Sequence, residues 1–449
     1  MHRLPPEILS EVFLRCRDPP TGPLNCKPQL VTMVCGRWRQ IALSTPALWR
    51  DIRIQREGPG AHEMSPGPLY ALLELQLQRS CDIPLRVTLS SSYPADDEEF
   101  IPPESWQTNV PPVLDDSAVF RLLLTTTPRW EYLDLDITRE QSKHLRTSGC
   151  EFPMLKRLTV RNVPLLDLGN LANSHLSELA LNLMGRRLPK EMLPWQALVK
   201  CSLSKSSSSD ALNLLATTPT LEEFAFISGY CLVEGLPRSA STTSTIKNLA
   251  IRRCSPGGVQ DFLQNLCVPS LKTLQFDTVD NRNLSSLLSD LLSSTPSMTS
   301  LILTKTRLSE MDLIGLLPLL GPITHLSINW PAEVHTRALI GALTFTGIKA
   351  TNWLPNLTHL TLTGGLSCAD ADLLRMLHSR QGTLRRVELF YAGRTFFFDR
   401  SLDRLRRGRG RYPDARLEHD DHEGMEIVVS FEDPLKSKPH WDATDYDDF

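Results

Sequence analysis

A six-residue pattern, apolar-x-x-apolar-x-apolar, recurs along this chain and limits what it can fold into more than any other feature. It starts with WEYLDL (Trp130, Leu133, Leu135) and LKRLTV (Leu155, Leu158, Val160). It then runs through LSELAL, LVKCSL, LEEFAF, IKNLAI, LKTLQF, MTSLIL, ITHLSI and LTHLTL, and ends with LRRVEL at Leu389. Eleven copies fit, mostly 21–27 residues apart, with one interval of 34 between Ile323 and Leu357. Apolar fourth and sixth positions predict a short strand that buries alternate side chains, with the third, fifth and seventh facing out. Helix patterns fill the gaps, as in DALNLLATTP and SEMDLIGLLPLL, each with a Ser or Asp cap candidate and i, i+3/i+4 apolar spacing. Pro128, Pro153, Pro219, Pro269, Pro296 and Pro355 each stand two residues before a first strand position, where a residue without an N–H ends helix and admits strand. One strand plus one helix cannot bury its own apolar face, so neighbouring units must stack. The expected class is α/β, with a curved parallel sheet inside and helices outside.

This pattern and period resemble those of the leucine-rich repeats, which build solenoids. Those repeats place Asn or Cys three residues past the strand, where it bonds neighbouring backbones in a ladder. Here the slot holds Thr138, Val163, Met184, Ser206, Gly229, Cys254, Val279, Thr306, Pro331, Gly365 and Ala392, and only Cys254 conforms. The expectation is an irregular solenoid of uneven curvature over residues 68–432, opening with a helix and a strand over 68–89. An acidic, proline-rich surface loop is expected at 91–116, and an acidic, disordered tail at 433–449.

Bulk properties exclude several classes of function. At 449 residues and 41% hydrophobic, the chain can bury a large core. A formal charge of −3 exerts no overall pull on nucleic acid or anionic lipid. Ten cysteines without one C-x-x-C point to reduced thiols, with neither a metal site nor a disulfide framework. The sequence shows no signal-peptide core and no run long enough to span a membrane, so residence in cytosol or nucleus is expected.

The first fifty residues follow a different rule. In LPPEILSEVFLRC, Pro5 and Pro6 suit a helix start, and Ile8, Leu9, Val12 and Phe13 form an apolar stripe. Leu30, Val31, Val34, Trp38 and Ile41 predict one apolar face on a second helix, and STPALW starts a third. Two such stripes on helices this short exceed what the trio can bury among themselves, which implies a partner. LPPEILSEVF, VCGRWRQIA and STPALW, in that order over roughly residues 2–54, resemble an F-box, in a form similar to the F-box-like proteins expanded in mushroom-forming fungi. The insert at 17–28 is longer than in a minimal F-box. The resemblance implies a small three-helix domain over 1–54 that docks on the Skp adaptor of SCF-type ubiquitin ligases and through it a cullin, while the repeats select a protein substrate. Carried over position by position, the adaptor interface is Leu4, Pro5, Ile8, Leu9, Val12, Phe13, Val34, Cys35, Trp38 and Trp49, some as core and others as contacts. A repeat scaffold without ubiquitin transfer is the other reading, and a cap on the solenoid end is the plainest one.

No catalytic constellation emerges, so no enzyme and no cofactor are expected. His419, Asp420, Asp421 and His422 lack further ligands at metal spacing. The arginines of 400–416 are interleaved with aspartates and read as a solvated helix rather than a nucleic-acid site. In SKSSSSD, Ser209 or Asp210 is the expected cap of the next helix. Outward strand positions carry mixed charge, which suits a protein substrate, and the late copies offer the most distinctive cluster: His325, Asn329, Trp330, His359, Phe390 and Tyr391.

Overall fold

A computed structural model of the chain describes residues 4–16, 27–55, 66–90, 117–137, 139–161, 171–184, 188, 193–231, 242–345, 352–390, 416–417 and 426–430. The expected loop at 91–116, the His419–His422 stretch and the tail at 433–449 lie outside the described residues, as does nearly all of 400–416. The fold is α/β, built on parallel strands in an open sheet, in two compact units, Met1–Leu198 and Val199–Phe449.

In the first unit, helices α1 (Pro6–Arg15), α2 (Lys27–Val34) and α3 (Gly36–Leu43) and a 3-10 turn (Pro46–Trp49) lead into β1 (Asp51–Gln55). There follow α4 (Pro66–Arg79), β2 (Leu85–Ser90), α5 (Ser117–Leu124), β3 (Trp130–Asp136), α6 (Arg139–Thr147), β4 (Arg157–Arg161) and β5 (Glu178–Asn182). Each of these strands pairs in parallel with the next in sequence.

The second unit repeats the plan with β6 (Lys200–Ser204), α7 (Ser208–Thr217) and β7 (Glu223–Ile227), then a minor parallel pair formed by β8 (Thr242–Thr243) and β10 (Leu266–Cys267) around β9 (Asn248–Arg252) and α8 (Pro256–Gln264). It continues with β11 (Thr273–Asp277), α9 (Leu284–Ser294), β12 (Ser300–Thr304), α10 (Glu310–Leu316), β13 (His325–Thr336), α11 (Arg337–Leu343), β14 (His359–Ser367), α12 (Asp370–Ser379), β15 (Arg386–Phe390), β16 (Arg416–Leu417) and β17 (Glu426–Ser430). The strand order is β6-β7-β9-β11-β12-β13-β14-β15-β17, all parallel, with β16 antiparallel on β17 at the end.

All eleven copies of the motif coincide with strands β3 to β7, β9 and β11 to β15, each strand beginning at the third position except β3, which begins at the first. Their first, fourth and sixth side chains are buried without exception, none more than 3% exposed. Within each unit the copies pair in register, position three against position three: Tyr132 faces Arg157, and Thr273 faces Ser300, which faces His325. Helix side chains close the same interior, as where the Phe262 ring on α8 lies 4.9 Å from the Phe226 ring on β7.

The missing ladder residues are partly replaced by the backbone itself. Cys254 does bridge strands: its Sγ accepts from the Gly229 N–H at 3.2 Å and donates to the Phe226 carbonyl at 3.3 Å. Gly229 fills its slot because a β-carbon there would lie 2.0 Å from the Phe226 ring. At five strand ends, those before Gly229 and Cys254 included, the residue just before the slot also bonds across. Lys205, Ser228, Arg253, Thr278 and Lys305 adopt a left-handed conformation, and each N–H donates to the carbonyl at the seventh motif position of the next strand.

The 34-residue interval is absorbed by a longer β13, a register shift between Asn329 and Val334, and α11. Its two ends are tied by Arg380, a fully buried side chain whose guanidinium donates to the carbonyls of Leu343, Trp353 (2.8 Å) and Leu354 (2.9 Å). The group also stacks on Phe345, 4.2 Å from the ring centroid, and burial pushes its pKa down to about 10, so it stays charged at neutral pH. Arg380→Met leaves three carbonyls unpaired, at about 1–3 kcal/mol for each buried unsatisfied group. We expect a large fall in the urea midpoint of the full chain, with Arg380→Lys recovering little because an ammonium cannot span the planar fork.

Candidate functional site

The N-terminal helices sort their apolar residues into two sets. Leu9 and Phe13 of α1, Val31 of α2, Ile41 and Ala42 of α3, and Leu48 and Trp49 of the 3-10 turn form one buried cluster, with half-buried Trp38 packed on it. The Phe13 and Trp38 rings lie 4.8 Å apart. Pro5 precedes the first helical turn without a side-chain cap, and the Leu9 N–H donates back to its carbonyl at 3.1 Å. Ile8 and Val12, four residues apart and so on one stripe of α1, face solvent, Ile8 at 49% exposure, as does Leu4 just before the helix. Leu30, Met33 and Val34 of α2 are more exposed still, at 56%, 74% and 60%.

This division shows which of the ten residues of the expected interface are core. Leu9, Phe13 and Trp49 lie inside the unit and cannot meet a partner in this conformation, and Cys35 works locally. It sits extended between α2 and α3, and its Sγ accepts the Trp38 N–H at 3.4 Å as the cap of α3. The single apolar face expected over Leu30–Ile41 is therefore broken at Cys35, so that Val31 and Ile41 turn inward on separate helices while Leu30 and Val34 stay outside. The Cys35-Gly36 step was the available signal, because glycine is a weak helix former. Met33, three residues from Leu30, is an exposed apolar residue that the pattern reading passed over.

Trp49 has a second role. WRDIRI (Trp49, Ile52, Ile54) is one more copy of the strand motif, and all three residues are buried, so β1 continues the sheet pattern upstream of the expected boundary at residue 54. The Trp49 indole N–H donates to the Ala42 carbonyl at 2.9 Å, and the Arg79 guanidinium lies 4.4 Å from its ring centroid. Gln76 of α4 donates to the Asp51 carbonyl at 2.8 Å. The helical block and first strand are thereby joined through one side chain.

The late-copy cluster does not assemble as expected. Trp330 occupies an even position, points inward and is buried, its indole N–H donating to the Thr306 hydroxyl at 3.2 Å. Asn329 is half-buried on β13; Phe390 ends β15, its side chain outside the described residues together with all of Tyr391. His325 and His359 do meet. Their rings stack, 4.1 Å between centroids and 10° from parallel.

Their tautomer follows from the hydrogen-bond chain. The Thr324 hydroxyl donates to the Thr299 carbonyl (3.1 Å) and the Thr358 hydroxyl to the Thr324 carbonyl (3.0 Å). Each hydroxyl oxygen is then left to accept from the Nδ1–H of the adjacent histidine, at 2.7 and 2.8 Å. On acidification Nε2 takes the proton. Beside the pair, Arg386 and Glu388 form their own ion pair. The helix after SKSSSSD is capped by Ser207, whose hydroxyl accepts the Asp210 N–H at 3.1 Å, two residues ahead of the expected cap.

Among the described residues no three His, Cys, Asp or Glu side chains gather as a metal site, and no helix is long and apolar enough to cross a membrane. Compared with known proteins, the chain matches no family model and no curated protein.

Burial, and then the neighbouring His359, lower the proton affinity of His325 below its ordinary value of 6.5. The unfolded chain thus binds more protons below that pH, so the contribution of His325 to stability is intact above it and lost as pH falls. We expect the unfolding midpoint of the full chain to drop between about pH 7 and pH 5.5, and His325→Gln to flatten that slope.

Proposed function

We propose that this chain is the substrate-recognition adaptor of an SCF-type ubiquitin ligase and carries no catalytic site of its own. In this reading the N-terminal helices are an F-box that docks on the Skp adaptor, and through it on a cullin. The strand–helix array is an irregular leucine-rich-repeat solenoid that holds a protein substrate.

The observation that carries the reading is the sorting of the N-terminal apolar residues. A block that served only to cap the sheet would turn its large apolar side chains inward. Here Leu9, Phe13 and Trp49 already close the interior, and Ile8, Val12, Leu30, Met33 and Val34 remain in water. Burying each is worth roughly 1.5–3 kcal/mol, so a few of them make a strong docking surface. The joint at Trp49 adds that the block also terminates the sheet, so capping and docking coexist.

Coexpression with a Skp adaptor tests this. We expect a stoichiometric complex, and Ile8→Asp or Val12→Asp should weaken it about 10- to 100-fold, the equivalent of one lost apolar contact. The unfolding temperature should hardly move, because the new carboxylate stays in water in the free chain. Phe13→Asp differs: it places an unpaired carboxylate in the interior and should unfold the first unit. A folded chain that forms no complex would leave the scaffold reading in its place.

A further inference from the structure

Five neighbouring strands of the second unit, β6, β7, β9, β11 and β12, end in the same way. The residue after each is left-handed, with φ between 47° and 52°, and its N–H is bonded to the carbonyl at the seventh motif position of the next strand at 2.8–3.0 Å. These residues are Lys205, Ser228, Arg253, Thr278 and Lys305, so cation and hydroxyl alternate along the strand ends. Adjacent parallel strands lie about 4.8 Å apart, which spaces the three cations at about 10 Å intervals. All three cations are exposed.

Two features separate this row from an ordinary solvated edge. Lys200 and Arg386 on the outward face are matched to Glu223 and Glu388, whereas Lys205 and Lys305, the two ends of the row, have no carboxylate partner among the described residues. The left-handed conformation also disfavours any side chain by roughly 1–2 kcal/mol, which glycine would avoid, yet none of the five is glycine. The bonded turns hold the backbone of the row in place before any ligand arrives, so the side chains alone remain to be ordered on binding.

We propose that this row docks an extended acidic segment of a partner protein, lying across the strand ends with Asp or Glu at every third residue. In the polyproline II form an extended chain makes three residues per turn at about 3.1 Å each, so its third residues share one face and recur at about 9 Å, close to the spacing of the cations. Single-stranded nucleic acid fits less well, because the row offers no aromatic ring for bases to stack on. The inference goes beyond the adaptor reading and does not depend on it, since the row lies within the second unit and its test contains no adaptor.

The test is fluorescence anisotropy of the full chain with a labelled ten-residue peptide carrying Glu at every third position, against an isomer with the same glutamates contiguous. We expect the spaced peptide to bind about tenfold more tightly and to weaken as salt is raised. Lys205→Asn and Lys305→Asn, chosen because Asn tolerates left-handed backbone, should each weaken it about 2- to 5-fold. Lys305→Gly, which relaxes the backbone, should weaken it equally and so separates lost charge from disturbed fold. Equal binding of the two isomers, or an unaffected Lys205→Asn/Lys305→Asn double variant, would overturn the proposal. So would tighter binding of an oligothymidylate than of the spaced peptide. Peptide binding by a chain that fails to capture the Skp adaptor would support this inference while removing the ligase reading.

Discussion

A short strand that turns two or three apolar side chains to one side is unstable alone; it needs a helix over that face and a further strand to carry the layer on. Every other feature of this chain follows from meeting that need repeatedly. Because each copy presents first, fourth and sixth positions to the interior, only one register between neighbours keeps all of them buried, and a slip by one residue would turn them into water. Parallel pairing in sequence order is the arrangement in which a helix can follow each strand and return over the same face. The in-register column at position three then places His325 on His359, and the column after the strands creates the cation row. Neither arrangement has to be built separately.

The N-terminal end shows how such an array is stopped. An open sheet needs its first interior residue covered, and Trp49 supplies the cover by belonging to both the helical cluster and the strand motif. With Leu9 and Phe13 committed to that cluster, the remaining stripe of α1 has no interior left to enter. Short helices packed against a sheet can carry such a stripe because the stability of the unit does not rest on it.

Much of this was legible in the residues. The eleven strands could be placed by periodicity because the interior demands the same three positions each time. What escaped pattern reading was set by local chemistry or by partners distant in sequence. The break between α2 and α3 rests on one Cys-Gly step, and the cap of α7 on which of four serines reaches the Asp210 N–H. Parity alone would have turned Trp330 inward, but as an aromatic beside a strand it invited a surface role. Arg380 gave no signal, since its three carbonyl partners lie 26–37 residues away. The left-handed residues gave none either, because Lys, Ser, Arg and Thr do not announce a positive φ as glycine does.

Amide hydrogen exchange on the free chain and on the chain mixed with a Skp adaptor tests the central claim most directly. Strand amides of the repeats, held by neighbours on both sides, should exchange slowly and alike in the two samples, while those of α1 and α2 should exchange readily in the free chain and slow markedly in the mixture. Unchanged α1 and α2 exchange at saturating adaptor, or a slowing confined to the repeat strands, would contradict the account.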